Sequence, residues 1–584
     1  MQRQYMIYVS KVYRFYSILA LLLLQSTMLF ATCLFDKGKT DYSIVVAQNA
    51  SESEKTAAKE LAMYLKQISG ADFPVTNNLN CSGKCFIVGY NARTAQMAGV
   101  SKPAAEDEAF VYKTVGDNLV IVGGSKRGTM YGVFAFLENE LGVRWYTADY
   151  TKIPKCKAFT FNNIHRSEKP ALKLRYPMYY VCTTNSAWAA HNRSNYNWNA
   201  QKNQYGGREA CLGAHTLGTY IAADDYWDSH PEYFAERNGK RTKNAQRCLS
   251  NNDVLNITIK KTLQSIKSNP DYLYYDVSQL DNNDFCECKK CKAIEQKYGS
   301  EHSGIILWFV NKVAEAVEKQ YPGKKVCTLA YQYGRTAPKN IVARKNVAIR
   351  LCTNNCCRSH ALETCPENAS FKKDLQGWSR CAQELMIWDY VVNFYQYNTP
   401  YPNFATFADN LDFFARNNVS STLLLGQYQS ASGEFNELKA WMLAKLLWNP
   451  KQDVDKLAKE FISDYYGAAS SYVFSYYQLC KNLAKSDIHL KNGIEANSPL
   501  FTESFITESE KLLDRAYRKC KTQQERNRVE DVQAQILSLR VGRTSLKSAS
   551  GDLRLRYNNY LKKRTPRINE NQTTEEYFKQ IGDI

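Results

Sequence analysis

The spacing of hydrophobic residues changes twice along this chain. In the first stretch, short apolar runs surround one clear helical face. Tyr42–Ala47 predicts a strand, and Ala57, Ala58, Leu61, Ala62, Leu65 and Ile68 fall on one side of a helix from Ser51 to Ser69, closed by Gly70. Cys85–Gly89 predicts another strand. Ala109–Val115 and Leu119–Val122 predict a hairpin about Gly116–Asn118, and Thr129–Leu141 a second helix. The glycines of Gly123–Gly128 have neither a phosphate-loop ending nor dinucleotide-binding spacing, so they read as a tight strand-to-helix turn.

The second stretch alternates strands and helices. Strands are predicted at Leu172–Val181, Cys211–His215, Tyr272–Ser278, Val326–Gln332, Val347–Cys352, Leu385–Tyr390 and Thr422–Leu425. Helices fit Ile305–Gln320, Phe404–Asn417 and Phe435–Trp448. Such alternation predicts a parallel α/β sheet, and the length suits a (β/α)8 TIM-like barrel, although seven strands can be counted. Beyond residue 451 the strands stop. Val454–Tyr466, Tyr472–Lys485, Thr507–Lys521 and Glu525–Ser548 read as amphipathic helices, and Thr565–Ile584 as a loosely held polar end. The expected class is α/β multidomain: a leader over 1–33, a small α/β domain over 34–165, a barrel over 166–450 and a helical domain over 451–584.

The leader is Lys11 and Arg14, the apolar run Phe15–Leu24, then Gln25-Ser-Thr and a small-residue exit at Ala31–Cys33. It reads as a secretory signal rather than a membrane span, so the protein is expected to be exported. A lipid anchor at Cys33 is a further option, though Phe30-Ala-Thr32 is a poor lipobox. No other run is apolar and long enough to cross a bilayer. The net charge of +19 is scattered and no nucleic-acid motif accompanies it, so a nucleic-acid partner is not expected.

Composition adds two points. Aromatic residues make up 13% of the chain, with 40 tyrosines, a bias that suits a sugar cleft as well as a Tyr-rich core. The 18 cysteines cluster, most tightly at Cys286, Cys288 and Cys291. Export permits a disulfide staple there, which is the first reading. The alternatives are structural zinc, with a fourth ligand from Cys356, Cys357 or His360, and reduced thiols. No other cofactor is expected.

In a barrel of this kind the reacting groups stand at the C-terminal ends of the strands. Those positions hold His215, Gln279, Asp281, Tyr331, Trp388, Asp389, Tyr390 and Gln427. Flat aromatic faces, amides and carboxylates are what a carbohydrate site needs, and glycoside hydrolysis needs a proton donor and a second carboxylate. Asp281 and Asp389 form the candidate catalytic pair. His215, Gln279, Tyr331, Trp388, Tyr390 and Gln427 are the candidate substrate contacts.

At Gly213-Ala-His215, His230-Pro-Glu-Tyr-Phe234, Val277–Asp281, the Cys286/Cys288/Cys291 loop, Leu329–Tyr331, Ile387–Tyr390, Leu446–Pro450 and Tyr465-Tyr-Gly467 the chain resembles a family of exported Bacteroidetes proteins. Their central domain is catalogued as a domain of unknown function. The resemblance implies an N-terminal domain like that of α-glucuronidases and β-hexosaminidases, a glycoside-hydrolase-like barrel, and an oligosaccharide or polysaccharide as partner. It also implies a Glu near Leu423–Leu425, where this sequence has Leu424, Leu425 and Gly426. Glu434 and Glu437 replace it only if their loop folds back over the site. The expected function is an exported glycoside hydrolase. The alternatives are a catalytically inactive glycan-binding protein and a metal-dependent hydrolase using the cysteines.

Overall fold

The computed structural model describes residues 32–80, 83–97, 99–196, 203–207, 211–299, 301–485, 487–543 and 551–581. The leader therefore lies outside the described residues, apart from Thr32 and the exposed Cys33. Backbone contacts divide the chain into two units. One contains residues up to Arg144 together with Ile153–Lys169, and the other contains Trp145–Lys152 and everything from Pro170 onward.

The first unit contains a six-stranded sheet, two helices and a separate two-stranded ladder of Thr32–Asp36 with Ala158–Phe161. The strands of the sheet are β1 (Tyr42–Val46), β2 (Val75–Thr76), β3 (Lys84–Val88), β4 (Phe110–Val115), β5 (Asn118–Gly123) and β6 (His165–Glu168), in the order β6-β4-β5-β3-β1-β2. β1, β2, β3 and β5 run parallel, whereas β4 is antiparallel to both of its neighbours. Helix α1 (Glu52–Ser69) starts on a capping box between Ser51 and Glu54 and stops at Gly70, whose φ of 78° is one that only glycine adopts at little cost. Its apolar stripe is buried, and so is nearly all of α2 (Gly128–Asn139).

The second unit is built on seven parallel strands: β7 (Leu174–Met178), β8 (Cys211–Leu212), β9 (Tyr274–Asp276), β10 (Lys325–Ala330), β11 (Val347–Cys352), β12 (Glu384–Tyr390) and β13 (Val419–Leu425). All seven fall on the apolar runs that predicted them. The sheet order is β7-β13-β12-β11-β10-β9-β8, so the last strand pairs with the first and the sheet curls round. A closed eight-stranded barrel is not shown. Among the described residues there are seven strands, and no ladder joins β7 to β8.

Alternation along each strand sorts side chains between two layers. On β12, Leu385 and Ile387 face the helical layer, where they join the main core, while Met386 packs inside the curl with Tyr274, Cys327 and Ala348. The outer layer includes α3 (Asn252–Ser268), α4 (Lys289–Lys297), α5 (His302–Gln320), α6 (Ala369–Cys381), α7 (Phe407–Arg416) and α8 (Asn436–Trp448).

Helices α9 (Val454–Tyr465), α10 (Ser470–Asn482), α11 (Glu503–Lys519), α12 (Gln523–Arg543) and α13 (Gly551–Arg564) continue the same unit. Residues 565–581 of the end expected to be loosely held are folded, and 582–584 lie outside the described residues. Hairpin β14 (Arg567–Asn569) and β15 (Gln572–Thr573) and helix α14 (Thr574–Ile581) follow, and Ile568 and Phe578 close a small core with Val541, Tyr557 and Leu561. No helix among the described residues is long and apolar enough to cross a membrane.

Candidate active site

The loop after β9 carries Asp281 to the mouth of the curled sheet. Its Oδ1 accepts hydrogen bonds from the Tyr331 hydroxyl and from Gln332 Nε2, each at 3.0 Å. The carboxylate is exposed, and no cation among the described residues is within ion-pair reach of it. Burial, reinforced by Asp281, raises the Tyr331 pKa, so this phenol stays a donor. Gln332 holds a left-handed backbone, φ 48°, and so does His215 across the mouth, φ 58°. Non-glycine residues in that region cluster at functional sites, where the surrounding structure supports the strain.

His215 is oriented by its second nitrogen. Nδ1 lies 2.7 Å from the Gln279 carbonyl, an acceptor only, so Nδ1 carries a proton. The ring centroid stands 6.1 Å from that of Tyr331. Below it, Asp276 Oδ2 accepts from Ser278 Oγ at 2.6 Å and Thr216 Oγ1 at 3.0 Å, while Oδ1 is sealed and unpartnered. Burial raises the Asp276 pKa, and Arg350 opposes that shift.

Arg350 and Trp388 line a cavity of about 250 Å³ with Leu174, Met178, Leu425 and Tyr428. The Arg350 guanidinium lies 5.4 Å from the centroid of the Trp388 ring, within range of a cation–π contact. One carboxylate lines this cavity, and it arrives from an unexpected direction. Glu570, at the tip of the β14–β15 hairpin, lines it and accepts a hydrogen bond from the Tyr428 hydroxyl at 3.2 Å.

The structure separates the two candidate aspartates. Asp389 follows the strand alternation to the helical side, opposite Trp388 and Tyr390. Its Oδ1 accepts from Thr353 Oγ1 at 2.5 Å and from Arg358 Nη1 and its neighbour Tyr390 N, both at 2.9 Å. Asp389 and Arg358 are each 4% exposed, beside a void of only about 10 Å³. That space holds about one water molecule and no sugar. Asp389 is thus a buried ion-pair partner.

Two further candidates also lie away from the mouth. Gln279 is 2% exposed and spends its amide on the Leu329 and Tyr331 carbonyls, and Gln427 is 1% exposed and donates to the Ser430 carbonyl. Leu424 pairs in register with Asp389 and packs in the core on the same helical side. Glu434 is sealed in an ion pair with Lys439, burial pushing its pKa up to about 7. Glu437 instead faces the charges of Asp149 and Asp531, so neither glutamate replaces the missing one. His215, Tyr331, Trp388 and Tyr390 remain partly exposed around the mouth.

The cysteine loop braces Asp281 from outside. Cys286, Cys288 and Cys291 are joined by Cys248, with all four Sγ atoms within 4.8 Å of one another. Cys248 Sγ lies 3.8 Å from both Cys288 and Cys291. The four stand as thiols in the structure, and Cys248 rather than Cys356, Cys357 or His360 is the fourth group beside them. Gln246, two residues before Cys248, holds the Asp281 loop: its amide donates to the Leu280 and Asn282 carbonyls and accepts from Leu280 N.

The fold of this chain, with its curled parallel sheet, is similar to that of glycoside hydrolases of known structure. The chain belongs to the family described as Domain of unknown function (DUF4838), whose model matches residues 145–478. The Glycosyl hydrolase family 67 N-terminus model matches residues 35–136. Among solved structures the chain is similar to BtGH115A, a family GH115 4-O-methyl-α-glucuronidase with specificity for decorated arabinogalactans. That likeness has TM-score 0.57 and 12% identity, over 91% of this chain and 76% of the other. It is also similar to a GH138 enzyme targeting pectin rhamnogalacturonan II, with TM-score 0.52 and 11% identity, over 93% of this chain and 78% of the other. At such identities the likeness is one of fold. Comparison with curated proteins gives no match.

Proposed function

We propose that this protein is an exported glycoside hydrolase acting on an oligosaccharide or polysaccharide at the mouth of the curled sheet. The observation that carries the reading is Asp281: an exposed carboxylate at a strand end, aimed by Tyr331 and Gln332 and unpaired with any cation among the described residues. It is the reacting carboxylate, and Glu570 is the second, delivered by the C-terminal hairpin. Trp388 and Tyr428 offer apolar faces to the sugar, while His215 and Tyr331 offer hydrogen bonds to its hydroxyls. The basic, then apolar, leader supports export.

The test is a screen of wild type and Asp281→Asn against aryl glycosides and natural oligosaccharides, acidic ones included. The reading expects product release by wild type and its loss in the variant, which still binds. Full turnover by Asp281→Asn rejects it. The second reading, glycan binding without hydrolysis, is favoured by Asp389 being locked to Arg358 and by Leu424 in the core. Retention on a glycan array with no product after long incubation supports that reading.

A further inference from the structure

A second cluster of metal-type donors stands apart from the candidate active site. It joins the loop after β11, which holds Cys357, His360 and Cys365, to His489 in the segment between α10 and α11. Cys357 Sγ is 3.3 Å from Nδ1 of both His360 and His489. The two Nδ1 atoms are 3.3 Å apart, and Cys365 Sγ is 3.5 Å from His489 Nδ1.

We propose that Cys357, His360, Cys365 and His489 bind a structural zinc ion. With bonds of about 2.0–2.1 Å to nitrogen and about 2.3 Å to sulfur, a tetrahedral site has edges of roughly 3.3–3.8 Å, which these separations match. Four protein ligands close the coordination sphere and leave no position for a substrate, so the ion ties the chain together rather than reacts. Binding takes the cysteines as thiolates, their two protons passing to solvent, and the imidazoles as neutral donors.

The ligands are held before any ion arrives. Arg358 N donates to the Leu490 carbonyl at 2.8 Å and Ser359 Oγ to the Ile488 carbonyl at 3.0 Å, pinning the His489 segment onto the cysteine loop. Asn368 brackets Cys357, accepting its N–H at 2.7 Å and donating to its carbonyl at 3.1 Å. His489 turns its other nitrogen towards Glu367, 3.9 Å away, the outer partner that orients a ligating histidine. Both cysteines are buried and both histidines partly exposed, which gives the ion a route in. The same loop carries Arg358, so the tie also fixes the partner of Asp389.

The four-cysteine cluster carries a second zinc on independent geometry. A tetrahedron of four sulfurs with bonds of about 2.3 Å has edges of about 3.8 Å, the separation of Cys248 from Cys288 and from Cys291. The sulfurs also receive backbone donors: Glu236 N to Cys286 at 3.4 Å and Cys291 N to Cys288 at 3.5 Å. This ion staples the Asp281 loop.

The test is elemental analysis of the full chain purified without chelator. Two zinc ions per chain are expected, falling to one in His489→Ala and to one in Cys288→Ser. A count that His489→Ala leaves unchanged overturns the first site, and one that Cys288→Ser leaves unchanged overturns the second. Because either variant can misfold, metal-free wild type is also titrated with Co2+. Intense tetrahedral absorption saturating at two equivalents supports both sites. No such absorption, or a native mass lowered by 2 Da per cysteine pair, overturns them.

Discussion

Replacing Asp389 by alanine separates a structural aspartate from a catalytic one. The substitution leaves the Arg358 guanidinium, 4% exposed, without its carboxylate, and removes the shared acceptor of Thr353 Oγ1 and Tyr390 N. Breaking one side of a buried ion pair costs about 3–5 kcal/mol. At roughly 2–4 °C per kcal/mol for sizeable domains, the melting temperature falls by about 10 °C. The double variant Arg358→Met/Asp389→Leu removes both charges, puts apolar volume in their place, and recovers most of that loss. Thermal unfolding of the wild type, Arg358→Met, Asp389→Leu and the double measures the coupling directly. An Asp389→Ala protein that melts within about 2 °C of wild type yet has lost all turnover refutes the reasoning, since Asp389 is then needed for chemistry rather than for packing.

Other substitutions read out the mouth and the core. Glu570→Gln lowers kcat on a glycan found in the screen by about 10²-fold or more, the scale of one lost proton-handling group, with the melting temperature unchanged. Trp388→Ala weakens binding of the same glycan by about tenfold, read by calorimetry, because the ring supplies the apolar face of the cavity. Glu437 has a sealed Oε2 with no partner, and burial, then the charges of Asp149 and Asp531, push its pKa up to about 8 from an ordinary 4.5. A raised carboxyl pKa favours the fold at low pH, and that contribution is lost as pH rises from about 4.5 through 8. Glu437→Gln is therefore neutral near pH 4 and increasingly stabilising towards pH 9 in urea melts. A constant difference across that range contradicts the assignment.

The apolar runs announced the strands because buried parallel strands are nearly continuous in Val, Ile and Leu, as at Val347–Cys352. Helix α3 was hidden: its buried positions are Val254, Thr258, Thr262 and Ile266, and two threonines break a stripe counted by hydrophobicity. Their hydroxyls bond back to the carbonyls four residues earlier, so they are satisfied in the core. The polar C-terminal end folds on a few apolar anchors, Ile568 and Phe578 among them, too sparse to show a period.

The site was legible by residue type and illegible by direction. Trp388, Asp389 and Tyr390 are consecutive, so one strand cannot turn all three to the same side. That rule, applied to the sequence, separates Asp389 from its neighbours. No spacing announces Cys248, His489 or Glu570. Each reaches its partners from a distant stretch of chain, and only the tertiary fold brings them together.

The central claim is that a sugar is handled at the mouth of the curled sheet, between Asp281 and the cavity lined by Trp388 and Glu570. The most direct measurement is a crystal structure of Asp281→Asn soaked with an oligosaccharide found in the screen. The account predicts a sugar ring against Trp388, with its glycosidic oxygen within hydrogen-bond reach of residue 281 or Glu570. A well-ordered oligosaccharide bound elsewhere, with the mouth empty, contradicts it.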